Sequence, residues 1–191
     1  MNQDIGRAIV FSMPVVSAAV SLILISLDTT RSSNTVDRKI HYNMIAVYCL
    51  MILFWSGLVM HSIARDTFIA YLPVFFSSFA FIPVFLYRIT HIITDTGERK
   101  LFPACHFILP ACLTLIICAI ALAVPLRQRW AAIYDNEVNL TSAIIDITFI
   151  VCILLCILYS WLSLLRIKSY KRKIIDYSAD IYRMSLDWLS F

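Results

Sequence analysis

TSAIIDITFIVCILLCILYSWLSLL, residues 141–165, is followed at once by Arg166, Lys168, Lys171, Arg172 and Lys173, and this stretch decides the fold. It holds one charged side chain, Asp146, and neither glycine nor proline. At about 1.5 Å per helical residue it crosses a hydrocarbon core of about 30 Å with some tilt. Hydrocarbon offers no water to backbone amides, so a lone segment of this kind must close its hydrogen bonds internally as a helix. The five cations behind it assign its end to the cytoplasmic side, because Lys and Arg flanking a span are retained there during insertion.

Working outward from this segment, four more apolar stretches precede it, at about residues 8–27, 44–63, 68–93 and 102–124. The first follows a short head, Met1–Arg7, and no small-residue cleavage site comes after it, so it reads as an anchor helix and not as a removable leader. Pro14 lies inside it and predicts a bend. The connections differ in kind. Residues 28–43 read as a polar connection, and Ala64–Asp66 as a turn so short that the second and third spans must form an antiparallel hairpin. Residues 94–100 form a turn around Gly97. Residues 126–139, with Arg127, Arg129, Trp130, Tyr134, Asp135 and Glu137, have the mixed polar and aromatic character of a segment lying at a membrane surface.

The composition agrees with this reading: 61% of residues are hydrophobic, 15% are charged, and mean hydropathy is +0.83. Soluble domains average about 25% charged residues, so an ordinary soluble domain is excluded. The net charge of +4 is a topology signal, since the Lys and Arg residues flank apolar spans and build no face that could grip a duplex. Twelve of the sixteen lie in the 29–43 and 94–100 connections, at Arg88 and after Leu165, while Arg7, Arg65, Arg127 and Arg129 lie on the other side. The expected architecture is an all-α, polytopic transmembrane bundle of five spans, N-terminus outside and C-terminus cytoplasmic. Residues 1–165 form the membrane domain and 166–191 a basic cytoplasmic tail.

The third span carries Pro73 and Pro83, which free the carbonyls of Ile69 and Phe79 from their usual donors. In lipid those oxygens need a substitute from Ser77, Ser78, water or a neighbouring helix. Asp146 is the one carboxylate well inside a span. A charged group in hydrocarbon is costly, so it is a candidate for proton coupling or ligand anchoring; the structural alternative is a place near the outer interface, satisfied by water or by Arg127. Arg88 and His91, three residues apart, and Asp95 one turn on are candidates for signal coupling or contact with anionic lipid, set against an ordinary helix end with satisfied charges. His41, His91 and His106 fall at one interface and His61 near the other, which favours solvated interfacial histidines over metal or haem ligands. The six cysteines lie in or beside spans without a C-x-x-C pair, and Cys152 with Cys156 reads as a packing pair. No metal or cofactor is expected. Three scattered glycines build no phosphate loop, and neither H-E-x-x-H nor G-x-S-x-G occurs, so no enzyme is expected.

After the basic cluster, apolar character resumes near Phe191, as at the entrance to a sixth span. The run Ile93, Thr94, Asp95, Thr96, Gly97 and the run Tyr177, Ser178, Ala179, Asp180, continued by Ser185, Leu186 and Trp188, resemble bacterial membrane-bound AraC-type transcription regulators. That resemblance implies several membrane helices followed by a cytoplasmic helix-turn-helix domain. The chain departs from the pattern by stopping before the DNA-binding domain. It is then the membrane anchor and sensor module, binding no nucleic acid itself, in the bacterial inner membrane. Its expected partners are the lipid bilayer and either a membrane protein or a second copy of the chain. Two further spans would keep the C-terminus cytoplasmic, as a DNA reader requires. The rival expectation is a small transporter or channel subunit with Pro73, Pro83 and Asp146 around a midplane pathway. Five spans without internal repeats do not divide into equal halves, which counts against it.

Overall fold

The computed structural model describes residues 2–31, 35–95, 102–135 and 139–177. Six helices follow one another: α1 (Asn2–Arg31), α2 (Thr35–Ile63), α3 (Arg65–Ile93), α4 (Ile108–Ala123, entered through a 3-10 turn at Ala104–Phe107), α5 (Leu126–Tyr134) and α6 (Leu140–Tyr177). No strand occurs among the described residues. Five of these helical segments, all but α5, are long and apolar enough to cross a membrane. The chain is an all-α helical membrane protein.

Helix ends and lipid boundaries do not coincide. The polar connection expected at 28–43 is largely helical, since α1 runs on to Arg31 and α2 starts at Thr35. Hydropathy marks where lipid ends, whereas a helix continues into water wherever its backbone bonds and end charges allow, and Asp37 lies in the favourable first turn of α2. α6 also continues past Leu165 through the basic cluster. Its start is fixed by a cap: the Asn139 Oδ1 accepts from the Ser142 amide at 2.9 Å, and the Asn139 amide donates to the Ser142 Oγ at 3.1 Å. That reciprocal pair satisfies two amides at the helix entrance.

α3 is the centre of the bundle. It packs against α2 on one side and against α4, α5 and α6 on the other, while α1 packs chiefly on α2. Its buried residues include Phe68, Ile69, Leu72, Phe75, Phe76, Ser78, Ala80 and Val84, with Ile69, Ala80 and Val84 wholly inaccessible. Lipid tails are as apolar as leucine, so close packing and ring contacts, not escape from water, hold these helices together. Gly57 of α2 is one such close approach. A Cβ there would come within 2.6 Å of the Phe75 ring, so only a glycine lets α2 sit this near to α3. Phe54 stacks on Phe75 at 5.1 Å, and the Tyr71 hydroxyl donates to the Leu53 carbonyl at 3.0 Å, closing the α2–α3 hairpin expected from its turn. The outward faces are apolar: Ile23, Leu115, Leu122 and Ile157 are exposed, as a lipid-facing surface requires.

Candidate functional site

Two junctions on α3 bring together the polar groups of the bundle. The first is at the end where α5 lies. Pro73 has no N–H, so the carbonyl of Ile69, four residues earlier, lacks its helical donor. The Arg129 Nη1 donates to that oxygen at 3.1 Å. Pro125 likewise cannot extend α4, and the Arg129 Nε donates to the carbonyl of Val124, the residue that ends α4, at 3.1 Å. One guanidinium thus satisfies both the oxygen that Pro73 leaves open and a carbonyl left without a partner where α4 ends. Arg129 is only 8% exposed and has no carboxylate within ion-pair distance among the described residues. Its charge sits instead at the C-terminal end of α4, where the helix dipole is negative. The neighbouring cavity, between Leu72, Phe76, Ile117, Ile120 and Ile145, measures about 10 Å³, room for about one water.

Around this cation, α5 lays its aromatic residues on the α2–α3 turn. Trp130 and Tyr134 pack at 4.7 Å, His61 contacts Phe68 at 4.9 Å and Tyr134 at 5.5 Å, and Arg65 lies 5.2 Å from the centre of the Tyr134 ring. The Tyr134 hydroxyl is enclosed with no hydrogen-bond partner among the described residues. Burial pushes its pKa up from the ordinary tyrosine value, outweighing the opposite pull of Arg65. α5 is therefore a surface helix fastened by a buried cation at its centre and an aromatic cluster at its end.

The second junction is at the opposite, basic end. The Tyr159 hydroxyl of α6 donates to the His106 carbonyl at 3.3 Å and lies 3.2 Å from His106 Nδ1. That carbonyl precedes Pro110 by four residues, so it too has lost its usual donor. Tyr87, His91 and His106 surround the Phe102 ring at 5.8, 5.6 and 4.9 Å. Arg88 lies over Phe102 and Phe107 at 5.9 and 5.8 Å, cation against ring face. The Arg166 Nε donates to the Thr94 Oγ1 at 2.8 Å, fastening α6 to the last turn of α3.

The residues singled out from sequence are placed as follows. Arg88 and His91 meet at the second junction, whereas Asp95 is exposed. His91 is 7% exposed and ring-packed, which corrects the expectation of a solvated histidine: the 102–107 segment folds over it, and nothing in the local sequence announces that. His41 pairs with Asp28 at 3.4 Å. Within the basic cluster, Arg166 is tied to Thr94, Lys171 is half-buried, and Lys168, Arg172 and Lys173 are exposed. Asp146 faces outward beside Ile145 and forms no ion pair with Arg127 among the described residues. Pro83 is buried within α3, Pro73 is half-buried, and Asp146 is exposed on α6. Cys152 is fully buried in the core and Cys156 partly so. Of the residues resembling the regulator family, Thr94 lies at the second junction, while 96–97 and 178–191 lie outside the described residues.

Sequence reasoning missed Arg129, Thr94, Phe102 and Tyr159. It identified the open Ile69 carbonyl but offered Ser77 and Ser78 as donors. Both serines turn back on their own helix, to the Pro73 and Phe75 carbonyls. The available signal was Arg129, four residues after Pro125 in an otherwise surface-lying segment. Comparison with known proteins adds no identity: no family model, curated protein or solved structure matches the chain.

Proposed function

We propose that the chain is the non-catalytic anchor and sensor module of a membrane-bound transcription regulator in a bacterial inner membrane, with its basic end cytoplasmic. The observation that supports this reading is the continuity of α6. Its 38 residues run without a break from the Asn139 cap to Tyr177. At about 1.5 Å per residue that is about 57 Å, well beyond a hydrocarbon core of about 30 Å. A shift of α6 in the membrane is thereby carried as a rigid displacement into the basic segment. α3 gathers the inputs: it touches α2, α4, α5 and α6 and is fastened to α5 through Arg129 and to α6 through the Thr94–Arg166 bond.

The first test is to sequence the source DNA past the codon for Phe191. A frame that continues through two further apolar spans into a helix-turn-helix supports the regulator reading. A stop codon directly after Phe191 overturns it and leaves an anchor acting through a partner. If the frame continues, replacing Asp146 with Asn in the full regulator should blunt induced reporter output while membrane expression holds. Unchanged output removes Asp146 from the mechanism.

A further inference from the structure

The groove between the last turns of α1 and the first turns of α2 belongs to neither junction. Ser26, Thr29 and Thr30 form one wall, Arg38, Tyr42 and Ile45 the other, around a space of about 380 Å³. α1 is long and apolar enough from Asp4 to Thr30 to cross a membrane, which would set its last turn at the level of lipid headgroups.

The hydrogen bonding of this groove is one-sided. The Ser26, Thr29 and Thr30 hydroxyls donate to the carbonyls of Leu22, Ile25 and Leu27 at 2.7, 2.6 and 2.7 Å. Each has spent its one proton on its own helix and presents only lone pairs to the groove. On the facing wall, the Arg38 guanidinium makes a single contact among the described residues, a 3.5 Å approach of Nη2 to the Tyr42 hydroxyl. The nearby carboxylate of Asp28 is directed to His41. A cation with free donors therefore faces a row of acceptors across an open groove.

We propose that this groove holds the phosphate of a phospholipid whose headgroup itself carries hydrogen-bond donors, such as glycerol or ethanolamine. The phosphate oxygens lie against Arg38 and Tyr42, the headgroup donors against Ser26, Thr29 and Thr30, and an acyl chain runs down past Ile45. Arg suits the phosphate because its planar fork offers two parallel N–H groups. The acceptor wall gives the site its selectivity, because a choline headgroup has no N–H or O–H to offer it.

The proposal is tested on the full chain in detergent micelles by native mass spectrometry, titrating phosphatidylglycerol, phosphatidylethanolamine or phosphatidylcholine. Phosphatidylglycerol or phosphatidylethanolamine is expected to be retained in preference to phosphatidylcholine. Arg38→Gln should reduce that retention about tenfold, as the loss of one charged hydrogen bond does. Lys168→Gln, an exposed cation on α6, serves as control and should leave retention unchanged. Circular dichroism checks that each variant keeps its helix content. Should Arg38→Gln not fold, Thr30→Val, which removes an acceptor and no charge, should erase the preference over phosphatidylcholine. Adding inorganic phosphate separates the two sources of the same chemistry: undiminished lipid retention supports a lipid site, and displacement at equal concentration overturns it in favour of free phosphate. Equal retention by the native chain and by Arg38→Gln overturns the site altogether.

Discussion

Arg129 brings a full positive charge into a helical membrane bundle with no carboxylate to meet it among the described residues, and the physics permits this because two open backbone oxygens fall in the same place. The Ile69 oxygen lost its donor to Pro73, and the Val124 oxygen has none because α4 ends there. An open carbonyl in a buried site costs about 1–3 kcal/mol. Arg129→Met, which keeps much of the volume and removes every donor, should therefore lower stability by about 2 kcal/mol, measured by thermal unfolding in detergent. Pro73→Ala restores the missing N–H to α3. In that background the loss from Arg129→Met should shrink by about 1 kcal/mol, because one of the two oxygens now has a helical donor. Equal losses in both backgrounds would show that the bond from Arg129 to the Ile69 oxygen contributes nothing to stability. Tyr159→Phe probes the other junction, where it opens the His106 carbonyl, and should cost about 1 kcal/mol.

At the scale of elements, α2 and α3 depend on Gly57, and α6 depends on its cap. Any side chain at position 57 meets the edge of the Phe75 ring at Cδ2, so Gly57→Val should push α2 away and reduce stability by about 1–3 kcal/mol. Unfolding temperature reads this directly, and an unchanged value would mean that the Phe75 ring swings aside freely. Asn139→Ala removes the acceptor that holds the Ser142 amide and should cost about 1 kcal/mol. The effect is local: amide hydrogen exchange should quicken at 140–143 and stay unchanged at the Arg166 end of α6.

Across the whole molecule, α1 and α2 stand as a wing on one side of α3, and α4, α5 and α6 form the other side. The orientation proposed for this assembly is open to direct measurement. A fluorescent protein that folds only in the cytoplasm, fused after Phe191, should be bright. A periplasm-dependent alkaline phosphatase at the same position should be inactive, and the reverse pattern would invert the topology. Much of this architecture was legible in residues 141–165 and their four apolar counterparts, because a lipid environment permits an isolated segment few structures besides a helix. The candidate site was legible in part. The Pro73 rule pointed to the open oxygen at Ile69, and the Arg88–His91 spacing pointed to the basic junction.

What residue order by itself determined is the helical class, the five spans and the need for outside donors at the prolines, since each follows from the chain's own periodicity and from which backbone groups it lacks. Which side chain answers each open oxygen was decided only by tertiary structure. Arg129 lies 60 residues from Ile69 and Tyr159 lies 53 from His106, and the burial of His91 follows from a segment folded over it. Those pairings depend on the angle at which one helix crosses another, and a crossing angle is a property of packed surfaces that no local pattern in the chain encodes.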